Sequence, residues 1–323
     1  MANACYIAAA TQLLMRMPDL FKSVKGVGFI RDYVTKFMNT IDPWQASANI
    51  AVGPRICLDR DLVEGAVKEM PEGEVGRQDD SAGFIRLLLD SGDRGSYMLK
   101  ENNITTRYAD KEGNRVIQIY NSDGSFKEDF TTRKEGIDCE MIMLPYAGYD
   151  VDFNLVLTSF VRVPDERIQD KRSKMSDLPN GQEYRVGGEK YESKQDFDGK
   201  MYDFAYLGNT YRYDDLKKYV LVCNKIFQND GSKTTFEIRL EDVQLLFNDA
   251  ETLKYTITSV VVHIGKSISG GHYINLSRDE DGRRWHILDD STVATYADFK
   301  TAWRETKSLT SARPFIVLLT RVE

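Results

Sequence analysis

Three residues of this 323-residue chain have the types and settings needed to attack a carbonyl: Cys5, His272 and Asp289. Cys5 lies in Asn3-Ala4-Cys5-Tyr6-Ile7, which leads into a stretch with Ile7, Ala10, Leu14 and Met17 on one helical stripe. Asn3 is a candidate N-cap, and Pro18 marks the end of the segment. The first turn of a helix turns free N–H groups and a positive dipole end toward a thiolate, which lowers the thiol pKa from about 8.5. The same position also suits a small buried core residue. Gly270-Gly271-His272-Tyr273 opens a strand running to about Arg278, Asp279-Glu280-Asp281-Gly282 is a turn, and Arg283 to Asp290 reads as the return strand. A turn centred between Glu280 and Asp281 sets His272 directly across from Asp289, and His286 across from Asn275. A carboxylate beside an imidazole fixes the tautomer and stabilises the imidazolium formed on taking a thiol proton. The alternative is an ordinary hairpin, and a one-residue slip would put His272 and Asp289 on opposite faces. His263, in Val260-Val261-Val262-His263-Ile264-Gly265, reads as a core group or a support to the site.

These residues need elements to bring them together. A second helical segment holds Phe84, Ile85, Leu87, Leu88 and Leu89, with weaker helical stretches before it. Strand-like patterns begin near Ile104, as in Arg115 to Tyr120 with a turn at Asn121 to Gly124, and Val151 to Val163 is a strand-rich run. Pro164 to Lys200 is charged and Gly-containing, and is read as a long exposed loop or solvated hairpin region. From Tyr219 to the end, strands return. Helices first and strands later, without β-α-β alternation or a Gly-rich phosphate loop, indicate an α+β fold.

Composition narrows the function classes. A hydrophobic fraction of 41% with 11% aromatics is globular. Fifty acids against 43 bases give a formal charge of -7, which disfavours nucleic acid as the main partner and suits a peptide carrying Arg and Lys. Cys5, Cys57, Cys139 and Cys223 are widely spaced, so neither a zinc ribbon nor a redox dithiol is expected, and no metal or cofactor is implied. With no secretory leader in view, reduced thiols in a cytoplasmic or nuclear setting are expected. No apolar run is long enough to cross a bilayer, so no membrane partner is expected.

Four separated blocks resemble the ubiquitin-specific proteases, deubiquitinating enzymes of the papain-like cysteine peptidase superfamily. Asn3-Ala4-Cys5-Tyr6-Ile7 with Gln12 resembles the cysteine box, G-N-T-C-Y-x-N-x-x-x-Q. Gln78-Asp79-Asp80 with Phe84, Leu88, Leu89 and Asp90 resembles the box Q-x-D-x-x-E-F-x-x-x-L-L-D. Leu221 to Phe227 is similar to the strand ending L-K-R-F. The histidine box is matched by Val260 to Gly265, Gly271-His272-Tyr273, and Trp285 through Asp289-Asp290-Ser291.

The resemblance implies one catalytic domain shaped as a hand. A helical thumb at 1–135 would carry Cys5, a fingers-like β region with a polar insertion would occupy 136–218, and an antiparallel β palm at 219–323 would carry His272 and Asp289. The implied activity is thiol-dependent hydrolysis of the isopeptide or peptide bond after the C-terminal Gly of ubiquitin, with ubiquitin or ubiquitinated proteins as partners. Gln78, Asp80, Gly271 and Tyr273 are the implied contacts to the ubiquitin tail, Asp80 through a tail Arg. Asp80 also suits a helix N-cap. Asn3 and Asp290 are the implied oxyanion or support groups.

Four departures from the pattern stand out. The family's oxyanion-hole Asn precedes the cysteine by five residues, before Met1 in this numbering, so either the sequence is a fragment or the Cys5 backbone N–H and another donor must serve. Ala8 replaces the Asn that follows the cysteine by three, Gly83 replaces the Glu of the second box, and the finger zinc cysteines are absent. These departures keep two alternatives open: a weak or inactive ubiquitin-binding scaffold, and a protease for a ubiquitin-like modifier.

Overall fold

The computed structural model describes residues 5–17, 32, 35–36, 60–70, 80–90, 97–106, 117–120, 126–129, 131–144, 150–161, 171–173, 183–186, 189–191, 204–206, 209–214, 216–228, 230–241, 243–247, 252–268, 270–279 and 282–322. Five helices lie within them: α1 (Cys5–Leu14), α2 (Arg60–Lys68), α3 (Ser81–Asp90), α4 (Phe153–Val161) and α5 (Phe299–Lys307). None of these helices is long and apolar enough to cross a membrane.

The largest described sheet has eight strands, numbered here β1 (Ile142–Leu144), β2 (Tyr219–Asn224), β3 (Val243–Phe247), β4 (Thr252–Ser267), β5 (Gly270–Arg278), β6 (Trp285–Asp289), β7 (Thr292–Tyr296) and β8 (Arg313–Arg321). Their spatial order is β7-β6-β5-β4-β8-β2-β1, with β3 also paired to β4. Every pairing is antiparallel except β2 with β1. Smaller sheets join 99–106 to 131–139 and 209–214, and 117–120 to 126–129 and 183–186, while 183–186 and 189–191 form a hairpin within the charged insertion.

The central strands are buried in continuous runs rather than in alternation: Val260, Val261 and Val262 of β4, Tyr273 to Ser277 of β5, and Phe315 to Leu319 of β8. A strand buried this way has both faces covered. Helix α1 lies against β5 and α3, and α5 covers Trp285 of β6 through Phe299, with ring centroids 4.7 Å apart. Ile7, Ala10, Leu14 and Met17 are all buried, as their spacing predicts.

Two stretches differ from the sequence-based expectation. Val151 to Val163 is extended only over Val151–Asp152 and then becomes α4. Asp152 Oδ1 accepts from the Leu155 N–H at 3.0 Å, the bond of a helix N-cap, and Phe153 and Leu157 bury one face while Leu155 is exposed. β-branched and aromatic residues favoured a strand locally, and the cap with one-sided burial overrode them. The C-terminal region is likewise not all strand. Asp298 caps α5 by accepting from Thr301 N at 2.7 Å, and Phe299, Ala302, Trp303 and Thr306 turn inward.

A buried polar cluster ties β4 to β5. Asn275 donates through Nδ2 to Ser259 Oγ at 2.8 Å and accepts from Ser277 Oγ at 2.5 Å, while Ser259 Oγ donates to the Leu276 carbonyl at 3.0 Å. Asn275→Leu would remove the donor to Ser259 Oγ and the acceptor of the Ser277 hydroxyl, and we expect a loss of about 1–3 kcal/mol in urea unfolding. An unchanged midpoint would mean that this cluster adds nothing to the sheet.

Candidate active site

Cys5 opens α1, half-buried, where the buried stripe of the helix presses it against the start of β5. Burial pushes the Cys5 thiol up from its ordinary value. The Tyr273 backbone N–H pulls it down, the Asp290 carboxylate adds to the rise, and the N–H groups of Tyr6 and Cys5 pull it down again. The lowering expected from the helix start is therefore present but loses to desolvation, because the buried stripe that anchors the helix also takes water from the sulfur. The Tyr273 N–H at the sulfur puts Cys5 beside the residue that follows His272.

His272 Nε2 lies 2.6 Å from Asp289 Oδ1, with both side chains partly exposed. With Nε2 bound to the carboxylate, Nδ1 is the nitrogen left for proton exchange. The strand register differs from the expected one. Asn275 pairs with Leu288, Leu276 with Ile287, Ser277 with His286 and Arg278 with Trp285, so His286 faces Ser277 and not Asn275. Asp279 N donates to Arg284 O, which closes a four-residue loop rather than a two-residue turn, with Gly282 at φ 71. The shift is two residues. Side chains alternate with a period of two, so His272 and Asp289 keep a common face as diagonal neighbours.

Asp290 follows at φ 47, a left-handed conformation that Asp tolerates better than most residues. His272, Asp289 and Asp290 offer atoms within 4.8 Å of one another, but His272 Nε2 and Asp289 Oδ1 are already engaged with each other.

The family pattern of the ubiquitin carboxyl-terminal hydrolases matches residues 1–312. This chain belongs to that family. No individually curated protein matches it. Among solved structures it is similar to the SAGA DUB module Ubp8/Sgf11/Sus1/Sgf73 bound to monoubiquitin, at 13% identity and TM-score 0.58. It is also similar to the SAGA Ubp8/Sgf11/Sus1/Sgf73 DUB module bound to ubiquitin aldehyde, at 12% identity and TM-score 0.53. Each comparison covers 100% of this chain and 68% of the other. The fold of this ubiquitin carboxyl-terminal hydrolase is thus papain-like α+β.

The remaining predicted residues divide. Asn3 and Gln78 lie outside the described residues. Asp80 is the N-cap of α3: its Oδ1 accepts from Ala82 N at 2.8 Å and its carbonyl from Phe84 N at 3.3 Å. Tyr273 turns its ring inward, and its buried hydroxyl is held far above the usual phenol range, first by burial and then by the charge of Asp80. Its backbone N–H faces the thiol.

His263 is fully buried and makes an edge contact to Tyr273, ring centroids 4.8 Å apart. Burial, then Lys233 and His272, hold its imidazole down to about 3, so it stays neutral. Sequence reasoning missed Lys233, a buried cation whose Nζ lies 2.9 Å from His263 Nδ1. A lysine in a Gly-Ser-Lys-Thr turn carries no local signal of burial.

Because the Asp290 carboxylate opposes the thiolate, Asp290→Asn should move the pH midpoint of Cys5 alkylation by iodoacetamide to lower pH. A midpoint that stays put or rises would show that Asp290 does not act on the sulfur.

Proposed function

We propose that this ubiquitin carboxyl-terminal hydrolase is a thiol-dependent deubiquitinase, with Cys5 as nucleophile, His272 as general base and acid, and Asp289 as the group that orients His272. The observation that carries the reading is the 2.6 Å contact of His272 Nε2 with Asp289 on the strand whose next residue turns its backbone N–H to Cys5. The ubiquitin-bound fold neighbours support ubiquitin as the substrate.

The raised thiol dictates the order of events. In the resting site Cys5 keeps its proton at neutral pH. His272 takes it through Nδ1 as the carbonyl of the terminal glycine arrives, and the sulfur adds to that carbon. Asp289 stabilises the imidazolium that forms. The negative oxygen is met by backbone N–H groups at the start of α1, with Asn3 as a candidate donor and Asp290 as a candidate to hold a water that donates to it. The intermediate collapses as His272 protonates the leaving amine. Water then cleaves the thioester with His272 as base.

Around the tail, the exposed backbone at Gly271 suits a glycine-ended peptide, with Tyr273 itself buried, and Gln78 with Asp80 would meet its basic residues. Asp80 Oδ1 also serves the cap of α3, so pairing with an Arg would share a carboxylate that already holds the helix start.

A C-terminally activated ubiquitin probe should label the intact protein and leave Cys5→Ala unlabelled, while Asp289→Asn should lower kcat by about 10²–10⁴-fold. An adduct that persists in Cys5→Ala would remove Cys5 as the nucleophile. Tight ubiquitin binding without turnover would favour the scaffold reading, and a higher kcat/KM on a ubiquitin-like modifier would reassign the substrate.

A further inference from the structure

We propose that the buried Lys233–His263 pair is a positioning element for His272, locking the glycine turn from which the imidazole is aimed. The inference rests on the reading of His272 as the general base.

Lys233 Nζ donates to the carbonyls of His263 at 2.6 Å, Gly265 at 3.1 Å and Ser311 at 2.5 Å, and lies 2.9 Å from His263 Nδ1. No carboxylate among the described residues is within ion-pair distance of it. Three carbonyls match the three N–H donors of an ammonium, and His263 Nδ1 stands as a fourth neighbour. Burial and the nearby Arg313 push the Lys233 pKa down to about 7. The amine thus joins two separated pieces of backbone. One is the irregular end of β4, where the register with β5 shifts between Ile264 and Ser267 and Gly265 takes φ 123. The other is the segment before β8, where Ser311 takes φ 57.

The lysine also sets the tautomer of His263. With Lys233 in its ammonium form, Nδ1 faces a donor, and the proton of the neutral ring sits on Nε2. That Nε2 is buried and has no hydrogen-bond partner. It lies directly under Gly271: a Cβ added there would come 2.6 Å from Nε2, 2.8 Å from Cε1 and 2.4 Å from the Ile264 carbonyl. The turn therefore rests on the His263 ring, with no slack on that side, and His272 is the next residue. A buried polar atom left unpaired costs stability, so its retention calls for a compensating role. Fixing the height and tilt of the Gly271–His272 peptide is such a role, because a misplacement of about 1 Å at the base can cost about 10²-fold in rate.

The test compares Lys233→Met, His263→Ala and the double variant with wild type and His272→Ala. One arm follows Cys5 alkylation by iodoacetamide against pH, located by peptide mapping. The other follows kcat and KM on ubiquitin 7-amido-4-methylcoumarin. Each single variant should lose about 10- to 100-fold in kcat with KM within about twofold, and its alkylation profile should move to that of His272→Ala. The double variant should be no worse than the poorer single one, since the pair acts as one unit. Folded variants with wild-type profiles and kcat, or fully additive losses, would overturn the proposal. A purely structural role would lower the unfolding midpoint without moving the alkylation profile. In case neither variant folds, imidazole ¹⁵N shifts of wild type at about pH 6, where Lys233 is charged and His263 neutral, decide: the proton must be on His263 Nε2, and a proton on Nδ1 overturns the pair. Failure of wild type to turn over ubiquitin would reject the deubiquitinase reading while leaving the alkylation arm intact.

Discussion

The first turn of α1 lies across the opening of β5, and that one contact creates the site. Cys5 has no side-chain reach of its own, so its position is the position of the helix. The helix is seated by Tyr6, Ile7, Ala10, Leu13 and Leu14, all buried. Burial of several such side chains is worth about 1.5–3 kcal/mol each, far more than any single polar contact at the sulfur. Apolar packing therefore sets where the thiol sits, and the thiol's chemistry has to adapt to it. The rise of its pKa on burial is the direct consequence.

The hairpin of β5 and β6 supplies the other half, and it carries two His–Asp pairs on opposite faces. His272 with Asp289 is partly open, whereas His286 Nε2 meets Asp279 Oδ1 at 2.5 Å in the interior, with His286 Nδ1 at 3.0 Å from Thr295 Oγ1. Both pairs are diagonal in the same register. The inner one closes the loop at Asp279 and pins β7 through Thr295, so the register that brings His272 to Asp289 is held from behind. An exposed ion pair alone would be worth too little to hold that register.

Much of this was legible in the sequence, and the failures follow a pattern. The His272–Asp289 partnership was readable because facing depends only on whether the spacing is odd or even, and an error of two residues in the turn leaves it intact. The turn length itself was not readable, since Asp279 to Gly282 carries turn residues at every position. Helix α4 was misread because Val, Phe, Leu and Thr suit both elements, and the decision lay in the Asp152 cap and in what the chain packs against. The Lys233 anchor was invisible for another reason. Its partners are backbone carbonyls, and no side-chain pattern records where a carbonyl will point.

Asp290 shows why the site cannot be judged one charge at a time. Its carboxylate opposes the Cys5 thiolate, yet it also stands within 4.8 Å of the His272 and Asp289 atoms. Proton transfer from sulfur to imidazole creates a negative and a positive charge together. A carboxylate near both raises the energy of the first and lowers that of the second, so its net effect on the ion pair is smaller than either part. The resting thiol is thereby protected as a neutral group, while the transferred state is not penalised to the same degree. Once the sulfur is bonded to carbon its charge has passed to the carbonyl oxygen and the imidazolium remains. From that point Asp289 acts with the favourable sign on the species that must protonate the leaving amine, while Asp290 still meets charges of both signs.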